Sequence, residues 1–332
     1  MKKEKKEKKV KTFKRKFGLK NKITSLIFGL ILAILLVFLG AAASITGGII
    51  DKKSRNELKN YSEQIYSLVD ISVDTTVNNT LELIMNDTSK KISDFNADFS
   101  NGKITKDEAL TKITEVIKTI RVGSFGFAYI LDDKGTFYYH PTEQGKNQSS
   151  KEYIKKILEE KNGLLSYKSE TKDITGNFEK TTMFKEYKEL GVIIGLDLYR
   201  SEVQKSINLA MITDKISGIK LGKSGTASII DKNGTIIINK DLKGQSLNSI
   251  VSQADYEKII NTDNDWLTYN VDSSKKLSYV KKYEFLQWTI VYDVDYNELF
   301  QDLNGLILKL VIISIIIIGV TLFLSYGLAI SI

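Results

Sequence analysis

One stretch of this chain occurs twice, and that repeat limits the fold more than any other feature. Residues 120–147, IRVGSFGFAYILDDKGTFYYHPTEQGKN, align without gaps to residues 219–246, IKLGKSGTASIIDKNGTIIINKDLKGQS, at an offset of 99. Nine of the 28 positions are identical, where average amino-acid usage gives about two. Downstream, EYIKKILEEKNGLLSY (152–167) parallels DYEKIINTDNDWLTY (255–269), and MFKEYKELGVIIGLDL (183–198) parallels YVKKYEFLQWTIVYDV (279–294). Two related modules therefore follow one another, at 120–198 and 219–295.

Each module reads as a β-hairpin, a short helix and three more strands. The hairpins turn at Asp132-Asp133-Lys134-Gly135 and Asp231-Lys232-Asn233-Gly234, residue types that tolerate turn geometry. Helical stretches fall at 150–160 and 252–261. Strands follow near 163–170, 180–188 and 191–198, and near 265–271, 276–283 and 287–294 in the second copy. Five strands with short connections predict an antiparallel sheet carrying a helix on at least one face. A helical connector, 199–218, joins the copies.

Ahead of the modules lies a helical region, 51–119. Leu58, Tyr61, Ile65 and Leu68, then Leu81, Ile84, Ile92, Phe95 and Phe99, recur at helical steps, as in a helix with one apolar stripe. The single proline, Pro141, lies beyond this region. A continuous helix over 51–99 would reach roughly 70 Å at about 1.5 Å per residue, long enough to flank both modules. Asn101-Gly102 ends it, and 104–119 forms a second helix with Thr105 as N-cap. The expected class is α+β, a long helix with two tandem antiparallel-sheet modules.

Residues 23–50 and 310–332 contain no charged residue. A membrane helix needs about 20 apolar residues, so spans are expected at 23–50 and 306–332. Ala41-Ala42-Ala43 resembles a signal-peptide cleavage site, but the 18 residues Ile23–Gly40 exceed the roughly 7–15 of a signal core. Residues 1–22 hold 12 basic and two acidic residues, whereas the rest holds 36 basic and 38 acidic. Such a tail stays cytoplasmic, which puts residues 51–305 outside a cell membrane crossed twice. Near anionic lipid each Lys or Arg contributes about 1 kcal/mol.

Because the excess charge sits in the tail, a basic nucleic-acid-binding domain is not expected. Zero cysteines and one histidine (His140) leave no Cys-based or multi-His metal site and no thiol nucleophile. No nucleophile–base pair marks a hydrolase, so an enzyme is not expected; a structural or adhesive surface protein remains the rival. Gly218–Ser224 is one residue short of a phosphate-binding loop, and its Gly222 is explained by Gly123 in the other copy. The Asp132/Asp133 and Asp231/Asn233 clusters hint at calcium, but hairpin turns account for them. No metal or cofactor is expected.

GFAYILDDKGTFYYHP with GKN following (126–141 and 145–147) resembles the Cache pattern of a Gly-aromatic strand, an acidic turn and a His-Pro before Gly-Lys. LQWTIVYDVDY (286–296) is similar to that family's Trp-containing last strand. The whole layout resembles the double-Cache extracellular sensors of methyl-accepting chemotaxis receptors, sensor kinases and diguanylate cyclases. The resemblance implies PAS-like modules, the first of them membrane-distal, a small extracellular ligand, a homodimer and a cytoplasmic output. No HAMP segment or signalling coiled coil follows Ile332, so that output is expected from outside this sequence. The Tyr/Arg-Trp/Tyr/Asp signature of amino-acid-binding members is not evident, which argues against an amino-acid ligand.

Comparing the copies picks out one sheet face. Ala128 and Ile130 match Ala227 and Ile229, while Phe127 and Tyr129 become Thr226 and Ser228. Alternate strand residues point to opposite faces, so one face is common and the other has diverged. If the hairpin pairs Leu131 with Thr136, Tyr129 faces Tyr138 and Phe127 faces His140. Phe127, Tyr129, Tyr138 and His140 then form an aromatic ligand pocket in the first module alone, or fill a core. Arg121 and Lys185 are cationic candidates for a ligand carboxylate, although Lys185 recurs as Lys281. Asp197 recurs as Asp293 and either holds an ammonium or caps the connector. His140, beside the proline, either fixes a turn or titrates near its unperturbed pKa of about 6.5.

Overall fold

The computed structural model describes residues 19–170, 176, 179–219 and 222–331. The basic tail as far as residue 18, Lys220 and Leu221 of the phosphate-loop-like stretch, and Ile332 lie outside the described residues. The described chain forms two compact units, numbers 19–55 with 296–331, and Asn56–Asp295.

The first unit holds both apolar runs. Helix α1 (Leu19–Ser100) begins there, and α6 (Tyr296–Leu299) and α7 (Gln301–Ser331) complete it. Each of α1 and α7 contains an 18-residue window of mean hydropathy 2.9, with almost nothing in it buried. Both are long and apolar enough to cross a membrane.

The second unit is built on the rest of α1. Leu58, Ile65, Val69, Val73, Val77, Leu81, Met85 and Ile92 are buried along one stripe. Each such side chain contributes roughly 1.5–3 kcal/mol by leaving water. The stripe is interrupted by buried Ser62, Ser72 and Thr88; the Ser72 and Thr88 hydroxyls donate to the Leu68 and Ile84 carbonyls one turn back. Helix α2 (Lys106–Thr119) follows, opened by a capping box in which Thr105 and Glu108 satisfy each other's backbone.

The first sheet has the order β2-β1-β5-β4-β3 and the second β7-β6-β10-β9-β8, all pairs antiparallel. Strands β1 (Phe127–Asp132), β2 (Phe137–Tyr139), β3 (Gly163–Lys168), β4 (Glu179–Tyr187) and β5 (Val192–Tyr199) form one. Strands β6 (Thr226–Ile230), β7 (Ile236–Ile238), β8 (Asp265–Val271), β9 (Ser274–Tyr283) and β10 (Trp288–Asp295) form the other. Helices α3 (Glu152–Glu160) and α5 (Gln253–Asn261) follow the two hairpins. A 3-10 turn (Arg200–Ser206) and α4 (Leu209–Ser217) join the sheets. All of β5 is buried; it is the central strand of its sheet, with α2 packed on β1 and α3 on β3. This is the α+β double-sheet architecture expected from the repeat.

The hairpins differ from expectation in register. Leu131 pairs with Phe137, not Thr136, and Ile130 pairs with Tyr139, leaving Tyr138 as an extra bulged residue. The second hairpin repeats this, with Ile237 extra. A bulge re-aims the side chains beyond it. The acidic turns are structural in both copies. Asp132 Oδ1 accepts from the amides of Lys134 (3.0 Å) and Thr136 (2.7 Å), and Asp231 Oδ1 from those of Asn233 and Thr235 (both 2.9 Å).

Candidate functional site

Between the first sheet and α3 lies a cavity of about 650 Å³. Its floor comes from alternate residues of the three inner strands. Asp197 on β5 pairs with Thr182 on β4 and with Phe127 on β1, so all three share a face, with Lys180 two residues from Thr182. Lys180 and Asp197 are 4% and 3% exposed, with Nζ 3.8 Å from Oδ2. The ammonium also lies 4.6 Å from the ring centres of Phe127 and Tyr199, a cation–π arrangement that replaces part of its lost hydration. Tyr167 donates to Asp197 Oδ2 at 2.5 Å and stacks on Tyr153 at 4.2 Å.

Among the described residues, Asp197 Oδ1 is buried and has no hydrogen-bond partner. A carboxylate oxygen left so carries a desolvation cost that a donor relieves. Burial raises the Asp197 pKa above the usual carboxylate value, opposed by Lys180. Burial and Asp197 raise that of Tyr167, so its hydroxyl stays protonated.

His140 forms one wall, its ring 4.6 Å from Phe127 and 4.5 Å from Phe137. Its Nδ1 accepts from the amides of Thr142 (3.1 Å) and Glu143 (3.0 Å), which assigns the ring proton to Nε2. Burial, helped by Lys180, Lys146 and Lys151, lowers its pKa to about 4. The imidazole is therefore a neutral turn-cap through the physiological range. Asn239 occupies the same place in the second module, its Oδ1 accepting from Asp241 (2.8 Å) and Leu242 (2.9 Å) amides.

Phe127, Tyr129, His140 and Asp197 thus line one cavity, with Tyr153, Tyr167, Phe137 and Lys180. Three expected residues stand elsewhere. Tyr138 is 39% exposed because the bulge hands its place to Phe137. Lys185 is on the opposite face of β4 from Phe184 and Lys180; its Nζ approaches Ser89 of α1 at 3.4 Å. Arg121 is exposed and donates to the Lys118 carbonyl at 3.1 Å. Asp197 is paired within the sheet and does not cap the connector.

The repeat carried a signal for the missed residues. Extending the alignment of 183–198 with 279–294 by three residues sets Lys180 over Lys276, and Tyr167 already stood over Tyr269. The second module has the same trio, Tyr269 donating to Asp293 at 3.2 Å and Lys276 at 4.0 Å from it. A cavity of about 230 Å³ adjoins it, so the first sheet is not the one hollowed module expected from the divergent face. Among the described residues no cluster of three or more potential metal ligands occurs.

A family model described as a Cache domain, dCache_2, matches residues 49–300. Among solved structures, the periplasmic sensory domain of the Campylobacter jejuni chemoreceptor Tlp1 is 14% identical, with 76% of this chain and 98% of that one covered and a TM-score of 0.31. A methyl-accepting chemotaxis protein from Vibrio parahaemolyticus is 15% identical over 44% of this chain and 98% of that one, TM-score 0.33. A Cache chemosensory domain solved for carboxylic acid recognition is 17% identical over 37% and 92%, TM-score 0.32. No curated protein matches. With three quarters of its length matched by the family model, the chain belongs to the Cache domain family in its double-Cache form.

Proposed function

We propose that this chain is a membrane-anchored receptor whose first module binds a small carboxylate from outside the cell and signals across the membrane, with chemotaxis as the output. The observation that carries the ligand assignment is the buried Lys180–Asp197 pair at the cavity floor, with Asp197 Oδ1 unpartnered. Lys180 offers an ammonium to a carboxylate. Asp197 Oδ1 takes a hydroxyl or amino donor on the same molecule, and His140 Nε2–H is a further neutral donor. Lysines exceed acids among the lining residues, five (Lys146, Lys151, Lys156, Lys168, Lys180) against four (Glu143, Glu152, Glu170, Asp197), which favours an anion. The aromatic walls supply apolar contact and exclude water.

A path for the signal starts at the same strand. Three residues after Asp197, Arg200 pairs with Asp70 (3.1 Å) and Asp74 (2.6 Å) of α1 and lies 5.0 Å from the Phe285 ring. Tyr283 of the second sheet donates to the same Asp70 at 2.7 Å. A ligand that binds one arrangement of this node better than another shifts the equilibrium. Strand β10 leads directly into α6 and α7. The homodimer, the membrane lipid around α1 and α7, the two-span topology and the cytoplasmic output partner belong to the same reading, from the resemblance and the apolar helices.

The test is a thermal-shift screen of the full chain in detergent micelles against small hydroxy-, keto- and amino-carboxylates. A ligand at about 100 times its Kd should add about 2.7 kcal/mol of stability, and Lys180→Met should abolish the shift. No saturable shift with any member would favour a surface scaffold. Deletion of the chain removing the cellular response to the same compound tests the chemotactic output.

A further inference from the structure

We infer that the cavity in the second module is a second binding site, for a small aliphatic molecule of no net charge whose head group both donates and accepts a hydrogen bond. Its polar end repeats the first site, with Tyr269, Lys276 and Asp293 where the first has Tyr167, Lys180 and Asp197. Its walls do not. Phe127, Tyr129 and Phe137 are replaced by Thr226, Ser228 and Ile236, and Val251 and Ile259 complete an aliphatic lining. Duplication has kept the anchor and remade the container.

The anchor is incompletely partnered. Asp293 Oδ2 accepts from Tyr269, but among the described residues Oδ1 has only the Thr226 hydroxyl at 3.4 Å and the Lys276 ammonium at 4.0 Å. Charge-assisted bonds run at about 2.7–2.9 Å, so a ligand donor at Oδ1 and a ligand acceptor at Lys276 would each improve on what is there. Burial raises Asp293 to a pKa of about 6, against the opposing pull of Lys276, consistent with a carboxylate short of partners.

Charge then selects the head group. An anion would meet two lining carboxylates, Asp293 and Asp241, against one lysine, Lys276, the reverse of the balance in the first cavity. A cation would have to share Asp293 with the ammonium of Lys276. A primary amide, with N–H donors and one C=O, serves both groups and leaves the pair neutral. An apolar cavity of about 150 Å³ holds benzene, so about 230 Å³ admits a branched tail with such a head. This site stands independently of the carboxylate reading of the first module.

The experiment is isothermal titration of the full chain in detergent micelles with three compounds sharing one branched tail: isovaleramide, isovalerate and isopentylamine. Isovaleramide should bind once per chain, at least about tenfold tighter than either charged analogue. Ile236→Phe should abolish this binding by filling the cavity, and the fold accepts that residue there because the first module carries Phe137 at the same position. Should that variant fail to fold, Ser228→Leu fills the cavity from the neighbouring strand. Lys180→Met should leave isovaleramide binding unchanged. No binding by any of the three, preference for a charged analogue, indifference to both filling variants, or loss on Lys180→Met would each overturn the inference.

Discussion

A Cβ at Gly195 would collide with the ring of Tyr129, which lies across the strand from it. The second module makes the opposite choice with the same pairing, Ser228 against Val291. Glycine here exists to seat a tyrosine that walls the cavity. Gly195→Ala should therefore cost roughly 1–3 kcal/mol by overpacking, and adding Tyr129→Ser should restore most of it; melting temperatures of the two variants check this. His140 makes a second test. His140→Asn should keep the turn-cap as Asn239 does, whereas His140→Ala strands two amides and should be less stable than the Asn variant by about 1–3 kcal/mol. Its folded pKa of about 4 lies below the unfolded 6.5, so the native state favours neutral imidazole. That stability is full above pH 6.5 and is lost as the pH falls towards 4. The wild-type advantage over His140→Asn in melting temperature should shrink accordingly. Asp293 shifts stability in the opposite sense, but it is common to both chains and drops out of the difference. Phe127, Tyr129, His140 and Asp197 were legible in the sequence because they differ or recur between copies. Tyr138 was not, since one bulged residue moves a side chain to the other face, and Lys185 was not, since a cation's strand parity follows from pairing, not residue type.

Helix α1 is the element that both sheets share. Tyr187 bonds Ser89 at 2.9 Å, and its repeat partner Tyr283 bonds Asp70 at 2.7 Å. Nineteen residues of helix thus separate equivalent attachments. The second attachment adds ion pairs, Arg200 on Asp70 and Asp74 and Lys281 on Glu63, where the first has the Lys185 ammonium 3.4 Å from the Ser89 hydroxyl. Asp70→Asn should loosen both Arg200 and Tyr283, at about 1–3 kcal/mol, and should weaken any ligand-dependent change in hydrogen exchange of β9 while leaving ligand affinity at the first site nearly unchanged. Equal exchange responses in wild type and variant would remove Asp70 from the path. The helix itself was readable from its apolar steps and the absence of proline. Its partners were not, because Ser89 and Asp70 look like ordinary polar-face residues until the tyrosines reach them.

Sensing from outside the cell requires both sheets to lie beyond the membrane. The chain has no cysteine, so single replacements report topology cleanly. Lys146→Cys, at the cavity mouth, should react in intact cells with a membrane-impermeant maleimide, while Lys5→Cys should react only after lysis. The double-sheet plan was visible in the sequence because a repeat shows itself without homologues. The second cavity was hidden, since small and aliphatic replacements read as plain core until the space between them is seen. Receptor function as proposed requires that Lys180 and Asp197 anchor a ligand. It is tested most directly by isothermal titration of the full chain and of Lys180→Met with a carboxylate that shifts its melting temperature. One molecule should bind per chain, at least about a hundredfold more weakly to the variant. Equal affinity in a variant that melts as wild type does would rule out that anchor.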